Sequence, residues 1–330
     1  MEKLNAAVIG LGVVSGMHLD ALKTNNENIV ALCDIVLDKA KNAKEKFGLS
    51  ANIYENYVEM LDKENIDVVH ICTPHYLHAE MVIAALNRNI NVICEKPLAI
   101  SFEQLDEIEK AVKSSKAKLG VCMQRRFEPV SKLIKSMMEE DKALSANGTL
   151  SWCRNKDYYI HDQWRGKKAT EGGGVMINQA LHTLDLVSYF MGYPDSVIAY
   201  TFNDTLKDVI DVEESAFGIF KYNDGRRFLI EASNANNISH EITISIQNSK
   251  HSVYYIGENL MIDNKQVDVQ TIAKESGKKE WGYGHQYLIT EFYNCVREDR
   301  PFLIDFYEGS KVVRLILSMY ASNGKEIKLW

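Results

Sequence analysis

The first 120 or so residues alternate short apolar runs with amphipathic segments. The apolar runs are nearly continuous in Val, Ile, Ala and Cys, which is typical of strands that a parallel sheet buries on both faces. They predict strands at residues 4–10, 28–34, 52–54, 67–73, 91–95 and 118–123. The segments between them have helical spacing, as at 76–88, and Ser101-Phe-Glu-Gln104 has the form of a capping box. This alternation predicts a doubly wound α/β domain.

The pattern changes after residue 124. A helix at 129–140 and an extended run at 148–159 precede a long helix at about 175–191. Strand-like runs then follow one another at 196–202, 214–222, 226–232, 241–247 and 252–256, and Asn223-Asp-Gly225 is a strong hairpin signal. Two helices, at 287–297 and 308–318, close the chain. We therefore expect a first domain over 1–122 and an α+β domain over 123–330, built on a predominantly antiparallel open sheet.

Composition and charge exclude several classes of protein. The 330 residues are 46% hydrophobic and 25% charged, and the net charge is −7 with Lys and Arg scattered along the chain. No basic stripe for nucleic acid and no stretch long enough to cross a membrane is present, so a cytoplasmic location is expected. The six cysteines have no CxxC or metal-ligand spacing, which favours buried, reduced thiols. His75 and His78 form an HxxH string without a third ligand, so no metal is predicted.

The first strand leads into a glycine motif, Gly10-Leu-Gly-Val-Val-Ser15, which has the spacing of the dinucleotide fingerprint. Such a motif lets the backbone approach a pyrophosphate at a helix N-terminus, although a purely structural turn has the same pattern. Asp34 ends the second strand, 22 residues after Gly12, where an acid would bind the ribose hydroxyls. A solvated loop acid is the alternative for Asp34. With no Arg directly after it, the carboxylate favours NAD over NADP.

Further motifs follow in a characteristic order along nearly the whole chain. They are Thr73-Pro-His-Tyr-Leu-His-Ala-Glu80, Glu95-Lys-Pro97, Arg125-Arg-Phe127, Gly172-Gly-Gly174, Asn178-Gln-Ala-Leu-His-Thr-Leu-Asp185, Gly284-His285 and Arg300-Pro-Phe302. With the glycine motif and Asp34, this order resembles that of the Gfo/Idh/MocA oxidoreductases, the family of glucose–fructose oxidoreductase and inositol dehydrogenase.

The resemblance implies an α/β Rossmann domain followed by a domain whose open sheet often serves as an oligomer interface, hence a homodimer or homotetramer. It implies that Lys96 contacts the nicotinamide ribose and the substrate, and that the Lys96–Pro97 bond is often cis. It also implies that His182 accepts the proton. The expected reaction is NAD-dependent oxidation of a secondary ring hydroxyl of a sugar, glycoside or cyclitol, with Lys96 polarising the oxygen.

The motifs and the resemblance together predict two sets of binding residues. The predicted cofactor-binding residues are Gly10, Leu11, Gly12, Val13, Val14, Asp34, Thr73, Pro74, Leu77, His78, Glu95, Lys96, Gln124, Trp164 and Arg165. The predicted substrate-binding residues are Lys96, Arg126, Tyr158, Asn178, His182 and His285. Aromatic side chains beside an Arg suit a sugar face and a phosphate or carboxylate, although plain packing also explains each of them singly.

The chain departs from the family pattern at two positions. Many members carry Asp four residues before the helical histidine, where this chain has Asn178, and His75 replaces a usual Asn. The first departure resembles a branch that includes sugar-nucleotide and glycoside 3-dehydrogenases, which favours C3 of a pyranose. Asn178, His182 and Asp185 have the spacing of one helical stripe, so Asp185 could fix the tautomer of His182.

Two other functions are compatible with the sequence. One is an NAD-dependent glycoside hydrolase or lyase with a closed redox cycle, which needs a further base such as Tyr158 or Tyr159. The other is a non-catalytic regulator that binds NAD or a sugar on the same fold. Net formation of NADH separates the dehydrogenase from both.

Overall fold

The computed structural model describes residues 2–257, 259–269 and 284–329. The chain divides into two compact units, which are described separately. The first unit runs to Phe127 and also contains a later segment that includes the helix Gly284–Arg297 and continues to Ser310. The sequence-based boundary at 122 and 123 places that later segment in the second domain. It packs with the first unit because Phe292 of this helix lies directly over Gly120, where a Cβ atom would come within 2.7 Å of its ring.

The first unit is a doubly wound α/β domain, as predicted. Its strands are β1 Asn5–Ile9, β2 Asn28–Cys33, β3 Asn52–Tyr54, β4 Val68–Ile71, β5 Asn91–Cys94 and β6 Leu119–Val121. All pair in parallel, in the order β3-β2-β1-β4-β5-β6. Its helices are α1 Ser15–Thr24, α2 Leu37–Phe47, α3 Tyr57–Lys63, α4 His78–Leu86 and α5 Phe102–Ser114, with short 3-10 turns at His75–Leu77 and Gln124–Phe127.

Local sequence signals set the helix ends in this unit. The hydroxyl of Ser101 accepts the backbone N–H of Gln104 at 3.2 Å, and the Gln104 side chain accepts the N–H of Ile100, the residue before the N-cap, at 2.9 Å, which is a variant of the capping box. Asn56 caps α3 in a similar way. Gly48 ends α2 in the left-handed conformation, with φ of 63°.

The second unit contains a nine-stranded sheet in the order β14-β13-β12-β11-β7-β10-β9-β8-β15. Its strands are β7 Ser145–Ser151, β8 Ser196–Phe202, β9 Ser215–Lys221, β10 Arg227–Ser233, β11 Thr243–Gln247, β12 Ser252–Ile256, β13 Asn259–Ile262, β14 Lys265–Val267 and β15 Ile327–Lys328. Within the described part of this sheet only the β7–β10 pair is parallel, so the prediction of a predominantly antiparallel sheet is confirmed. The predicted hairpin joins β9 to β10 through Gly225, whose φ is 87°.

The second unit also contains helices, and their bounds differ from the predicted ones at two places. They are α6 Pro129–Glu140, α7 Lys156–His161, α8 Lys168–Glu171, α9 Val175–Asn178, α10 Leu181–Met191 and the part of α12 Phe306–Ser322 that follows Ser310, while α11 is Gly284–Arg297 of the first unit. The expected extended run to residue 159 is wrong, because Asn155 accepts the N–H of Tyr158 at 3.2 Å and starts α7. No helix within the described residues is long and apolar enough to span a membrane.

The expected long helix at 175–191 is also wrong, since it is interrupted between α9 and α10. The N–H of Ala180 donates to the carbonyl of Val175 at 2.8 Å, five residues back, so the turn there is wider than an α-helical turn. His182 and Asp185 share α10, but Asn178 belongs to the preceding turn. The single stripe predicted from the spacing of these three residues is therefore broken.

Candidate functional site

The glycine turn after β1 has the geometry that a dinucleotide requires. Gly10 has a φ of 85°, and a Cβ atom there would lie 2.7 Å from the carbonyl oxygen of Cys72, so only glycine fits. A Cβ atom on Gly12, in contrast, would meet no atom within 4 Å, which leaves its backbone open to a close ligand. The first turn of α1 contains no acidic residue. The N-terminus of α1 therefore suits a pyrophosphate.

Asp34 connects the second strand to this turn. One carboxylate oxygen accepts the N–H of Leu11 at 2.8 Å and the other accepts the N–H of Val36 at 2.9 Å. Each oxygen keeps a further lone pair that can accept a ribose hydroxyl. The next residue, Ile35, is 82% exposed, and no cationic side chain follows directly that could pair with a 2′-phosphate. The local chemistry fits NAD, and the apolar side chains of Val13 and Ile35 are available to cover it.

The other motifs of the first unit lie at the same edge of the sheet. Parallel strands end at one edge, so the Thr73-Pro74 segment after β4 and Glu95-Lys96 after β5 follow the strand ends where ligands bind in open α/β sheets. The Lys96–Pro97 peptide bond is cis. The ring of His78 lies between these two segments, with Nδ1 2.7 Å from the carbonyl oxygen of Pro97 and Nε2 2.8 Å from that of Thr73.

Glu95 is buried under this edge. One of its oxygens lies 2.9 Å from Nε2 of His18 and 3.0 Å from Nε2 of His285. Although burial opposes ionisation, the hydrogen bonds from His18 and His285 hold the pKa of Glu95 well below its usual range. His285 was predicted to bind substrate; its ring is 2% exposed and faces Glu95.

Two further predicted residues of the first unit are buried. Arg126, expected near the substrate, is 1% exposed, and its guanidinium pairs with Glu308 at 3.1 Å. Gln124, expected near the cofactor, is buried, and the backbone of Gly284 packs so closely on it that a Cβ atom would overlap the Gln124 carbonyl. Contact of either residue with a ligand stays a prediction.

The second unit holds another group of predicted residues around Glu171. Its carboxylate accepts a short hydrogen bond from the Asn178 amide and the N–H of Gly166 at 2.5 Å, and the Arg165 guanidinium is 3.8 Å away. Burial raises the pKa of Glu171 to about 7, and the hydrogen bonds from Gly166 and Asn178 only partly oppose this. Asn178 therefore faces a carboxyl group that titrates near neutral pH.

Tyr158 lies beside this group, at the centre of a hydrogen-bonded chain. Its hydroxyl accepts an N–H of Arg165 at 2.7 Å and an amide N–H of Gln179 at 3.1 Å. The Gln179 side-chain carbonyl accepts from Asn234 at 3.1 Å, and Asn234 also lies 3.2 Å from the hydroxyl of Tyr159. This chain of hydrogen bonds joins α7 to α9 and to the end of β10.

Guanidinium groups stack on the aromatic rings of this region. Arg165 lies 4.9 Å from the Tyr158 ring centre and 4.4 Å from that of Trp164. Arg154 lies 5.0 Å from the Tyr158 ring centre and 4.8 Å from that of Trp152. Such stacks keep a guanidinium fixed while its edge N–H groups stay available to an anion. His182 and Asp185, on α10, are both buried.

Sequence reasoning missed several residues of these two groups: His18, His70, Glu171, Gln179 and Asn234. A signal existed for His70, since a histidine within the buried strand Val68–Ile71 needs a polar partner. His18 lies on the buried side of α1 and carries a similar signal. Glu171, Gln179 and Asn234 carried no sequence signal, because their contacts come from separate loops and strands.

The donor set of His18, Glu95 and His285 is the group within the described residues that is close enough to hold a metal ion, with its atoms within 4.8 Å of one another. The observed separations of 2.9 and 3.0 Å are ordinary hydrogen bonds. His75 and His78 are not part of such a group in the described chain.

Family models match both parts of the chain. The model of the oxidoreductase family with an NAD-binding Rossmann fold matches residues 4–123, and that of its C-terminal α/β domain matches residues 144–329. The chain belongs to the Gfo/Idh/MocA oxidoreductase family. The predicted family, fold class and NAD cofactor are thereby confirmed.

Relatives that are similar over the full length of the chain are named as dehydrogenases of sugars. The chain is 25% identical to the D-glucoside 3-dehydrogenase of Escherichia coli, over 99% of this chain and 97% of that protein. It is 26% identical to the levoglucosan dehydrogenase of Pseudarthrobacter phenanthrenivorans, with the same coverages. The fold is shared with the WlbA dehydrogenase from Bordetella pertussis in complex with NADH and UDP-GlcNAcA, at a TM-score of 0.86, 24% identity and coverage of 100% and 99%.

Proposed function

We propose that this oxidoreductase oxidises a secondary ring hydroxyl of a sugar, glycoside or cyclitol, with C3 of a pyranose as the favoured position. In this proposal Lys96 polarises the reacting oxygen and His182 accepts its proton. The observation that carries the proposal is the position of Lys96, directly after β5 at the sheet edge that also carries the glycine turn and Asp34. The full-length similarity to a glucoside 3-dehydrogenase supports the substrate class and the position.

The reaction divides into a hydride transfer and a proton transfer. When bound by the glycine turn and Asp34, NAD would supply the acceptor for the hydride that leaves the carbinol carbon. The ammonium group of Lys96 stabilises negative charge on the oxygen, and the imidazole of His182 takes the proton, which a base with a pKa near the working pH does best. The second unit supplies Tyr158 and Asn178 for binding a polar ring, and Arg154, which stacks on the Tyr158 ring, would favour a substrate that carries an anionic group.

The alternative closed redox cycle needs another base, and neither of the two candidate tyrosines is well suited to that role. Burial raises the pKa of Tyr159 far above its ordinary value, so its hydroxyl is a poor base near neutral pH. The hydroxyl of Tyr158 already accepts two N–H groups. These contacts favour simple dehydrogenation over the elimination route.

The test is the absorbance of NADH when purified protein meets NAD and a panel of pyranoses, glycosides, cyclitols and sugar nucleotides. We expect a steady rise with one substrate class. We expect Lys96→Ala and His182→Ala each to lower turnover by about 10²–10⁴-fold, as losses of polarising or acid–base groups usually do. Lys156→Ala and His161→Ala are matched controls, since both of those residues are exposed on α7.

Three results would contradict the proposal. Near-normal turnover in either active-site variant would remove that residue's assigned role. Product formation without net NADH, together with solvent deuterium in the product, would establish the closed redox cycle. If the protein binds NAD but forms neither NADH nor product with any member of the panel, the alternative of a non-catalytic regulator is favoured.

We further propose that the open face of the second unit's sheet forms a homodimer or homotetramer interface. Tyr200, Phe202 and Phe217 lie side by side on this face with their rings 5.3 and 5.9 Å apart, and each is about 40% exposed. An exposed aromatic cluster of this kind is typical of an interaction site. Light scattering should give a dimer or tetramer mass, and Phe217→Lys should lower it; an unchanged mass in the variant would contradict this interface.

A further inference from the structure

A continuous chain of hydrogen bonds lies buried within the first unit and ends at the residue before Lys96. The Tyr293 hydroxyl lies 2.9 Å from Nε2 of His70, and Nδ1 of His70 lies 2.8 Å from Nδ1 of His18. His18 then contacts Glu95 through Nε2 at 2.9 Å, and His285 reaches the same carboxylate oxygen at 3.0 Å. The side chains of Tyr293, His70 and His18 are fully buried.

The protonation states along this chain follow from burial. Burial lowers the pKa of His18, even though its hydrogen bond with Glu95 opposes the shift, and it lowers that of His70 well below the ordinary value. Both rings are therefore neutral and carry one N–H each. Burial raises the pKa of Tyr293 well above its usual range, so that its hydroxyl keeps the proton.

With both rings neutral, only one arrangement of protons satisfies every contact. A carboxylate can only accept, so His18 and His285 both carry their N–H on Nε2, toward Glu95. Nδ1 of His18 is then a lone pair, and His70 must donate to it from Nδ1. Nε2 of His70 is left to accept the hydroxyl proton of Tyr293. Every N–H and O–H in the chain thus points along it toward Glu95.

Glu95 receives a third donor. The backbone N–H of Lys96 lies 3.3 Å from the second carboxylate oxygen. On the other side of Lys96, the carbonyl of Pro97 contacts the His78 ring at 2.7 Å. The backbone of Lys96 is therefore fixed through both of its neighbours.

We propose that His18 and His285, ordered by His70 and Tyr293, are positioning residues for Lys96. They hold Glu95 in place as a carboxylate, and Glu95 in turn fixes the peptide from which the Lys96 side chain extends. The proposal rests on the role of Lys96 proposed above, because a displaced lysine would lower the rate of the chemical step. A displacement of about 1 Å in a catalytic group can cost about 10²-fold in rate.

Two other states of the same atoms predict the opposite tautomer of His70. If a metal ion bound Nε2 of His18, or if His18 were an imidazolium, its Nδ1 would carry a proton and donate to His70. His70 would then accept at Nδ1 and donate from Nε2 to the Tyr293 oxygen. The position of one proton on His70 therefore separates these states from the proposed arrangement.

The first experiment is long-range ¹H–¹⁵N NMR of the full chain labelled with ¹⁵N-histidine, which contains nine His residues. Nε2 couples strongly to both ring C–H protons and Nδ1 to only one, so the two nitrogens are distinguishable. Tyr293→Phe identifies His70, because loss of the hydroxyl shifts its Nε2 signal. We expect the N–H of His70 on Nδ1 and no stoichiometric metal by elemental analysis. An N–H on Nε2, or one equivalent of metal, would overturn the proposal.

The second experiment compares His285→Leu with His285→Gln, using the substrate that gives the fastest NADH formation in the panel. Leucine removes the donor to Glu95, whereas the glutamine amide can still donate. We expect His285→Leu to lower kcat by about 10–100-fold with the KM for NAD within about twofold of the unchanged protein, and His285→Gln to restore much of the loss. His251→Gln is the matched control, since the His251 side chain is only partly buried and pairs with Asp263.

The two experiments fail independently of each other. An unchanged kcat in folded His285→Leu, or no recovery in His285→Gln, would overturn the positioning role even if the tautomer is as expected. If no substrate gives turnover, the proposed function fails, while the NMR result still decides whether Glu95 is held as described.

Discussion

Glu171→Gln is the substitution whose effect on stability can be worked out most directly from the structure. Glu171 is 1% exposed, and burial raises the pKa of its carboxyl from the ordinary 4.5 to about 7. In the unfolded chain it ionises near 4.5, whereas in the folded protein it keeps its proton until the pH approaches 7. The folded state therefore binds more protons between these values, and its stability falls as the pH rises through this window.

The size of the effect follows from the difference between the two pKa values. A difference of about 2.5 pH units, at about 1.4 kcal/mol per unit, lowers the free energy of unfolding by about 3 kcal/mol above pH 7. Glutamine has no proton to lose and nearly the same shape. Its carbonyl can accept the N–H of Gly166, and its amide can donate to Asn178 once the Asn178 amide has turned over. We therefore expect little loss of contacts.

Urea unfolding at pH values from 5 to 8.5 measures this difference. We expect the stability advantage of Glu171→Gln to grow from less than about 1 kcal/mol near pH 5 to about 3 kcal/mol at pH 8. Glu59→Gln is the matched control, because Glu59 is half exposed and pairs with Lys63 on the surface of α3. Parallel pH dependences for Glu171→Gln and the unchanged protein would refute the assignment of this titration to Glu171.

Three glycine substitutions test the cofactor turn and the second unit. Gly10→Ala should lower the free energy of unfolding by about 2 kcal/mol or more, because its positive φ and the nearby Cys72 carbonyl exclude a Cβ atom; an unchanged melting temperature would contradict this. Gly12→Ala should melt normally yet weaken NAD binding at least about tenfold in a fluorescence titration, since its Cβ meets only open space. Gly174→Ala should destabilise the protein by about 3 kcal/mol or more, because its Cβ would overlap the Glu213 carbonyl; retained stability would show that the backbone can relax there.

The sequence was sufficient for features that depend on neighbouring residues. Hydrophobic periodicity placed the six parallel strands within about two residues, and the capping box at Ser101 and the hairpin at Gly225 were both confirmed. These signals are local: a cap or a turn is decided by a few residues that are close along the chain. The glycine turn is likewise local. The motif predicted that glycine is required at position 10, and the nearby Cys72 carbonyl gives the steric reason.

The local pattern of apolar residues gave a wrong prediction where a helix is interrupted without a helix-breaking residue. Residues 175–191 contain neither Gly nor Pro, yet the turn widens at Ala180 and separates Asn178 from His182. The buried Glu213 accepts the N–H groups of Gly174 and Met176 at 2.8 and 3.0 Å, and so fixes the start of α9 from another part of the unit. The spacing of apolar residues along the chain carries no information about such a constraint.

The family, the fold and the identity of the cofactor could therefore be obtained from the order of motifs along the chain. What the tertiary structure alone decided is the environment of the chemical groups: that His285 faces Glu95, that His18 and His70 complete its support, and that Glu171 lies against Asn178. The physical reason is that a pKa and a hydrogen-bond partner depend on burial and on atoms within about 3 Å in space. Residues 18, 95 and 285 are far apart in sequence, and only folding brings them to one carboxylate.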